Sequence, residues 1–295
     1  MKNIVILGST GFVGRSLLNK LKNEEFKLKI IIHKNDVKIK TKKFKGDILR
    51  HGILDGIIEK GDVIVNLIGQ TSGKDSDLID LNLIGGLNLL NTCVKRKPSQ
   101  IILVSSINVY GENMNKPSRE TDDLKPETNY GWIKLSTEKI YEYYSRIHGL
   151  NITILRMSHL YGPSKKTGII ANLISSTKNN NTVTVYNRGK QLRDFLFIDD
   201  ASDGIIQTIK NPLGGFNIFN ISSRKRYMVK DLIKIIEKIT HKRLNVNLSS
   251  LSPDERCVWA DNLKAKKIIK FSPQVNIEKG LKLTVEDFQR DNKIQ

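Results

Sequence analysis

The chain has 295 residues, of which 39% are hydrophobic and 27% charged; this balance excludes a disordered chain and leaves room for one α/β unit with a smaller appended domain. Its 49 Lys and Arg stand against 30 Asp and Glu, a formal charge of +19, but runs such as Lys38-Ile39-Lys40-Thr41-Lys42-Lys43 are short and lack arginine–aromatic interleaving, so solvated faces explain the charge better than a nucleic-acid partner. The apolar runs are strand-sized, which argues against a membrane partner, and two cysteines, Cys93 and Cys257, cannot build a disulfide framework, so a cytoplasmic location is expected.

Ile4–Leu7 is the first predicted strand, and a helix follows it through Leu21. Between them stands Gly8-Ser9-Thr10-Gly11-Phe12-Val13-Gly14. Gly8 permits the tight turn, Gly11 lets the backbone approach a pyrophosphate, and Gly14 lets helix and strand pack closely. The helix N-terminus offers free N–H groups to the phosphates. Leu28–Ile32 is the second strand, followed by His33 and Lys34 where NAD-binding domains place an acid for the adenosine ribose hydroxyls. A histidine and a lysine suit a 2′-phosphate, so NADP stands beside NAD as the expected cofactor; a solvated strand end is the other reading.

Val63–Leu67 and Ile101–Val104 are the third and fourth predicted strands, separated by a helical stretch, Leu78–Cys93. Strands alternating with helices predict an α/β, doubly wound parallel sheet covered on both faces. The fourth strand closes into Ser105-Ser106-Ile107-Asn108-Val109-Tyr110-Gly111, at the sheet edge where such folds bind ligands. Ser106 can hydrogen-bond a reacting oxygen as charge develops, or simply cap the strand end. Tyr130-Gly131-Trp132-Ile133-Lys134 then sets a phenol and an ammonium one helical turn apart. For a phenol to act as a base near neutrality, its phenolate needs about 4 kcal/mol of stabilisation, which Lys134 and an oxidised nicotinamide can supply as positive charge. The second half is more irregular, with loops expected at Asn179-Asn180-Asn181 and Ser272-Pro273.

The Gly-x-x-Gly-x-x-Gly turn, Ser106 and Tyr130-x-x-x-Lys134 resemble the extended short-chain dehydrogenase/reductase family. Leu155-Arg156, Leu160-Tyr161-Gly162-Pro163, Arg193-Asp194-Phe195-Leu196-Phe197-Ile198-Asp199-Asp200 and Asp261-Asn262-Leu263-Lys264-Ala265-Lys266 extend the likeness, in its nucleotide-sugar epimerase/dehydratase branch, over nearly the whole chain. The resemblance implies a Rossmann domain over 1–163, to which 191–222 returns, and a smaller mixed α/β substrate domain over 164–190 and 223–295. It implies Ser106, Tyr130 and Lys134 as catalytic residues. Gly8, Thr10, Gly11, Phe12, Val13, Gly14, His33, Lys34, Tyr130 and Lys134 would hold the cofactor, with Asp47 and Ile48 at the adenine, Leu67-Ile68-Gly69 along it and Asn82 behind that turn. A nucleotide-diphosphate sugar would meet His159, Asn172, Tyr186 and Arg193. Strand packing for Tyr186 and a helix N-cap for Asn172 are the plainer readings. No metal is expected; a homodimer through helices Leu81–Thr92 and Thr137–Tyr144 is.

The chain also departs from the family pattern. A second diphosphate arginine should fall near Ser250 or Leu251, with Arg224, Arg226 and Arg256 as candidate replacements. His159 stands where an asparagine is usual. Ile107 and Asn108 replace the Asp-Glu pair of the dehydratases, which speaks against elimination of water. The expected activity is that of an NAD(P)-dependent nucleotide-sugar epimerase, similar to UDP-glucose 4-epimerase, with Tyr130 as base. A NADPH-dependent keto-sugar reductase, favoured by His33 and Lys34, is the alternative. A non-catalytic RNA-binding or redox-sensing member is the third reading, supported by the charge and opposed by the intact Ser106, Tyr130 and Lys134.

Overall fold

Short apolar strands alternate with helices along the computed structural model, which describes residues 2–70, 73–113, 115–179, 181–251 and 257–290. The first half runs β1 (Lys2–Leu7), α1 (Phe12–Leu21), β2 (Phe26–Ile32), β3 (Lys42–Lys45), β4 (Val63–Asn66), α2 (Asp75–Ile79), a π-helical turn (Asp80–Ile84), α3 (Gly85–Arg96), β5 (Gln100–Ser106) and α4 (Asn129–His148). The second half runs β6 (Ile152–Met157), β7 (His159–Tyr161), α5 (Ile169–Asn179), β8 (Val183–Val185), β9 (Leu192–Arg193), β10 (Phe195–Phe197), α6 (Ile198–Lys210), β11 (Phe216–Ile221), β12 (Tyr227–Met228), α7 (Val229–Thr240), β13 (Val246–Leu248), α8 (Leu263–Ile268) and α9 (Ile277–Arg290).

Seven strands form one sheet in the order β11-β6-β5-β4-β1-β2-β3, every neighbouring pair parallel. The strand side chains show why both faces must be covered. Ile4 and Ile6 of β1 pack with Leu17, Leu21, Ile205 and Phe219 on one face, while Val5 and Leu7 pack with Leu89, Leu103, Tyr141 and Ile154 on the other. Successive strand residues point to opposite sides, so only a sheet buried on both faces tolerates this run of aliphatics. A separate cluster, including Ile174, Phe197, Leu232, Leu281 and Phe288, joins α5, α7 and α9. Three two-stranded pairings, β10-β7, β12-β9 and β13-β8, lie outside the large sheet.

Strand β3 falls in the lysine run that the sequence presents as a solvated face, so the fourth predicted strand is the fifth in the chain. Three of its four residues are exposed, as befits an edge strand whose charges discourage further pairing. The single helix expected over Leu78–Cys93 is interrupted by the π-helical turn. Of the Asn179–Asn181 loop, α5 extends through Asn179, and Asn180 lies outside the described residues. No helix among the described residues is long and apolar enough to cross a membrane.

Candidate active site

The turn from β1 to α1 separates two reasons for glycine. Gly8 has φ +80°, and a Cβ there would lie 2.9 Å from the Leu67 carbonyl carbon. A Cβ on Gly14 would run into the Gly8 carbonyl oxygen and sit 2.6 Å from Ser9 Cα. These two are required by the chain's own packing. Gly11 is not: its backbone is extended (φ −74°, ψ 177°), and its Cβ would meet only the Gly8 oxygen, at 3.3 Å. The space beside Gly11 opens to the cleft and suits a phosphate that must approach the backbone. Arg15 N donates to Gly11 O, α1 has no side-chain N-cap and no acid in its first turn, and so the helix start presents its positive end.

Across the cleft, β5 ends at Ser106. Its Oγ accepts from Asn108 N at 3.2 Å, capping the short turn Ile107–Val109, and it is also hydrogen-bonded to the Tyr130 hydroxyl. The capping reading of Ser106 is thus met, and the same hydroxyl stands beside the Tyr130 phenol. Thr128 Oγ1 caps α4 by accepting from Gly131 N at 3.0 Å. A Cβ on Gly131 would lie 2.7 Å from Asn108 O, so a glycine here lets α4 press against the capped turn and brings Tyr130 to Ser106. Lys134 is buried; its Nζ donates to Val104 O at 3.2 Å and stands 5.9 Å from the Tyr130 ring centroid.

In the chain without a nicotinamide, the phenol is not depressed. Tyr130 is half-buried, and desolvation outweighs its bond to Ser106, pushing its pKa up to about 12. Lys134 is brought down to about 8 by burial, with the Glu138 carboxylate opposing. Burial thus favours the neutral phenol, Lys134 Nζ is directed to a backbone carbonyl, and further positive charge beside the ring would favour the phenolate. Beside Lys134, a Cβ on Gly69 would lie 2.7 Å from Lys134 Nζ and 3.2 Å from Asn82 Oδ1. Asn82 Nδ2 donates to Leu78 O at 2.8 Å, but its Oδ1 is buried without a partner among the described residues. An unsatisfied buried acceptor facing an ammonium and a glycine fits the hydroxyl donors of a nucleotide ribose.

At the end of β2, His33 and Lys34 are exposed, and His33 Nε2 lies 3.8 Å from Asp47 Oδ2. An acid therefore does reach this strand end, from after β3 rather than from the β2 turn itself. Asp36 is taken up by Lys43, with Nζ at 2.9 Å, and by its own Val37 N–H. Asp47 Oδ1 accepts from Leu49 N, and buried Ile48 packs where Gly85 leaves room.

These walls enclose a cleft of about 990 Å³. Of the residues expected to act, Gly8, Gly11, Phe12, Val13, Gly14, Leu67, Gly69, Ser106, Tyr130, Lys134 and His159 line it. Thr10, His33, Lys34, Asp47, Ile48, Ile68, Asn82, Asn172, Tyr186 and Arg193 stand outside its lining. Asn172 is exposed, inside α5 rather than at its N-cap, with its N–H on Gly168 O. Tyr186 is 39% exposed, just beyond β8, and Arg193 Nη1 donates to Leu192 O at 3.1 Å. Arg226, one of the candidate replacement arginines, stacks 4.3 Å over the Trp259 ring and reaches Cys257 Sγ with Nη1 at 3.9 Å. Arg224 pairs with Asp261 at 3.7 Å, and Arg256 lies outside the described residues. The lining also includes Phe195, from the Arg193–Asp200 segment, and Lys165, which carries no signal in the sequence because a lysine in a lysine-rich chain does not stand out.

Comparison with known proteins agrees with this geometry. The model of the NAD dependent epimerase/dehydratase family matches residues 4–222. Over 97% of its length the chain is 28% identical to UDP-glucuronic acid decarboxylase 3 of Arabidopsis thaliana, covering 89% of that protein. The UDP-glucose 4-epimerase of Thermotoga maritima, solved with UDP-glucose, superposes with a TM-score of 0.88 at 26% identity, over 98% of this chain and 99% of that one. The UDP-glucuronic acid 4-epimerase of Bacillus cereus, solved with UDP-glucuronic acid and NAD, gives the same TM-score, identity and coverage.

Proposed function

The chain belongs to the NAD dependent epimerase/dehydratase family, and on that premise we propose that it is an NAD-dependent epimerase of a UDP-sugar, acting as the 4-epimerases do. The observation that carries this reading is the convergence, in one cleft, of the Ser106–Tyr130 hydroxyl pair, Lys134 and the open cradle at Gly11. The chemistry a bound NAD supplies is reversible removal of a hydride from a sugar carbon. Tyr130 takes the proton from the hydroxyl on that carbon and returns it. Ser106 Oγ steadies the same oxygen while it carries charge. Lys134 and Asn82 Oδ1 are the polar groups that would hold the nicotinamide ribose. Gly8, Gly11, Phe12, Val13 and Gly14 receive the pyrophosphate, and Asp47, drawn to the end of β2, favours ribose hydroxyls over a 2′-phosphate. On the substrate side, His159 faces the sugar, and Arg193 with Arg226 forms the cationic pair for the diphosphate.

The substrate domain corresponds to the cluster built on α5, α7 and α9, within 164–190 and 223–295, although Ala265, Ile269 and Phe271 of that span pack with the sheet. We assign a homodimer to the outer face of α3 and α4. Trp132, Tyr143 and Ile147, 56–62% exposed, share one face of α4 at near-integral helical turns, and Ile84, in the turn before α3, is exposed as well. Such a patch on an enzyme surface marks an interface.

Incubation with UDP-glucose and with UDP-glucuronic acid, each with NAD⁺ or NADP⁺, tests the proposal by NMR detection of the C4 epimer. Epimer should form with NAD⁺, and Tyr130→Phe should cut turnover by at least about a thousandfold while leaving NAD⁺ affinity nearly unchanged. Turnover within about tenfold of wild type would remove Tyr130 from its role as base.

A further inference from the structure

The segment that links β7 to α5 is held in a defined shape. Gly162 has φ +147° and would drive a Cβ against Ile198. Ser164 adopts φ +65°, and its N–H donates to Asp287 Oδ2 of α9 at 2.7 Å. Lys165 N donates back to Gly162 O at 3.3 Å, closing the turn. A serine in the left-handed region, fixed by a carboxylate from a distant helix, gives the next residue one direction.

That direction is into the cleft. Lys165 lines it, half-buried, with Nζ 4.9 Å from the centroid of Phe12, the first residue of α1 and a part of the phosphate-binding turn. Half-buried Lys20 pairs with Asp203, and half-buried Lys264 gives its Nζ to Ile218 O at 2.8 Å. Among the described residues no carboxylate pairs with Lys165, and burial alone acts on its charge, lowering its pKa. A cation kept partly out of water over an aromatic face, with no counter-charge from the protein, is poised for one supplied by a ligand.

We propose that Lys165 is a binding residue that forms an ion pair with an anionic oxygen of the bound ligands, bridging the α5 side of the cleft to the phosphate turn at Phe12. This rests on the reading of the cleft as an NAD and UDP-sugar site. Three oxygens fit the chemistry: a phosphate of the cofactor, a phosphate of the UDP group, and a carboxylate on the sugar.

Calorimetric titration of the full chain with NAD⁺, UDP, UDP-glucose and UDP-glucuronic acid, at one ionic strength, tests the proposal in wild type, Lys165→Met and Lys165→Arg. Lys165→Met should weaken at least one of these ligands by about tenfold to a hundredfold, the worth of a charge-assisted hydrogen bond. Lys165→Arg, which keeps the charge, should retain most of the affinity. A loss with NAD⁺ places the contact on the cofactor pyrophosphate. A loss already present with UDP places it on the substrate diphosphate, and a loss with UDP-glucuronic acid but not UDP-glucose places it on the sugar carboxylate. Wild-type affinity for all four ligands in Lys165→Met overturns the proposal. If Lys165→Met melts below wild type, Lys165→Gln takes its place in the same titrations. Should wild type bind NAD⁺ but no UDP ligand, the UDP-sugar reading fails by itself, and the NAD⁺ titration alone decides Lys165.

Discussion

Glu138 lies one helical turn beyond Lys134 and is buried together with Arg156. Its carboxylate accepts from Arg156 Nε at 3.1 Å and Nη2 at 2.7 Å, and from Ser105 Oγ. The remaining guanidinium donor, Nη1, reaches the Tyr110 hydroxyl at 2.9 Å, which in turn donates to Asn220 Oδ1 at 2.8 Å. The network pins α4 to β5 directly behind Ser106. Glu138→Leu would leave Arg156 charged, dry and unpaired, at a cost of about 3–5 kcal/mol. With unfolding entropy of about 2.1 cal/mol/K per residue, a chain of this length loses on the order of 6 °C in Tm for the middle of that range. Replacing both partners, Glu138→Leu with Arg156→Met, removes the desolvated charge as well as the pair and should recover most of the loss. Thermal melting by circular dichroism at neutral pH, in wild type, the single variants and the double, reads this directly. A single variant within about 2 °C of wild type, or a double variant no more stable than Glu138→Leu, would refute the account of the pair as a mutually dependent buried unit.

Gly11→Val, whose extended backbone accepts a side chain and whose Cβ would press only on the Gly8 oxygen at 3.3 Å, should lose less stability than Gly14→Ala yet lose NAD⁺ binding by more than about a hundredfold; a folded variant that binds NAD⁺ normally would show that the cradle has another use. Gly14→Ala should instead destabilise the free protein, since its Cβ collides with the Gly8 carbonyl and Ser9, and an unchanged Tm would contradict that packing. The Tyr130 phenol, pushed up to about 12 without ligand, should titrate at lower pH once NAD⁺ adds positive charge, because a cation favours the phenolate; phenolate absorbance of wild type minus Tyr130→Phe, with and without NAD⁺, should show the drop, and identical curves would remove the nicotinamide from the activation of Tyr130. Trp132→Glu places a charge on the exposed α4 face and should shift a dimer to monomer in sedimentation, whereas a wild-type protein that sediments as a monomer would refute the assigned interface.

The features legible in the sequence are those whose partners are close along the chain. A strand, a glycine turn and a helix start occupy residues 2–21 consecutively, and Tyr130 and Lys134 share a helix face because four residues make about one turn. Alternating aliphatic runs dictated a sheet buried on both sides, since no one-sided packing satisfies them. Asn82 came only from the family resemblance, and its empty acceptor shows only in three dimensions. What the tertiary structure decided depends on distant segments meeting. The sequence after β2 shows His33 and Lys34 without an acid, but pairing of β3 with β2 brings Asp47 to His33 and with it a different view of the cofactor. The spacing of Tyr130 and Lys134 shows a phenol and an ammonium on one helix face, but not that the fold turns the ammonium to Val104 O and desolvates the phenol. Lys165 meets Phe12 across 153 residues and Ser164 meets Asp287 across 123. Side-chain spacing carries no information about such encounters, because burial, charge and the direction of a side chain are set by which surfaces the completed fold presses together.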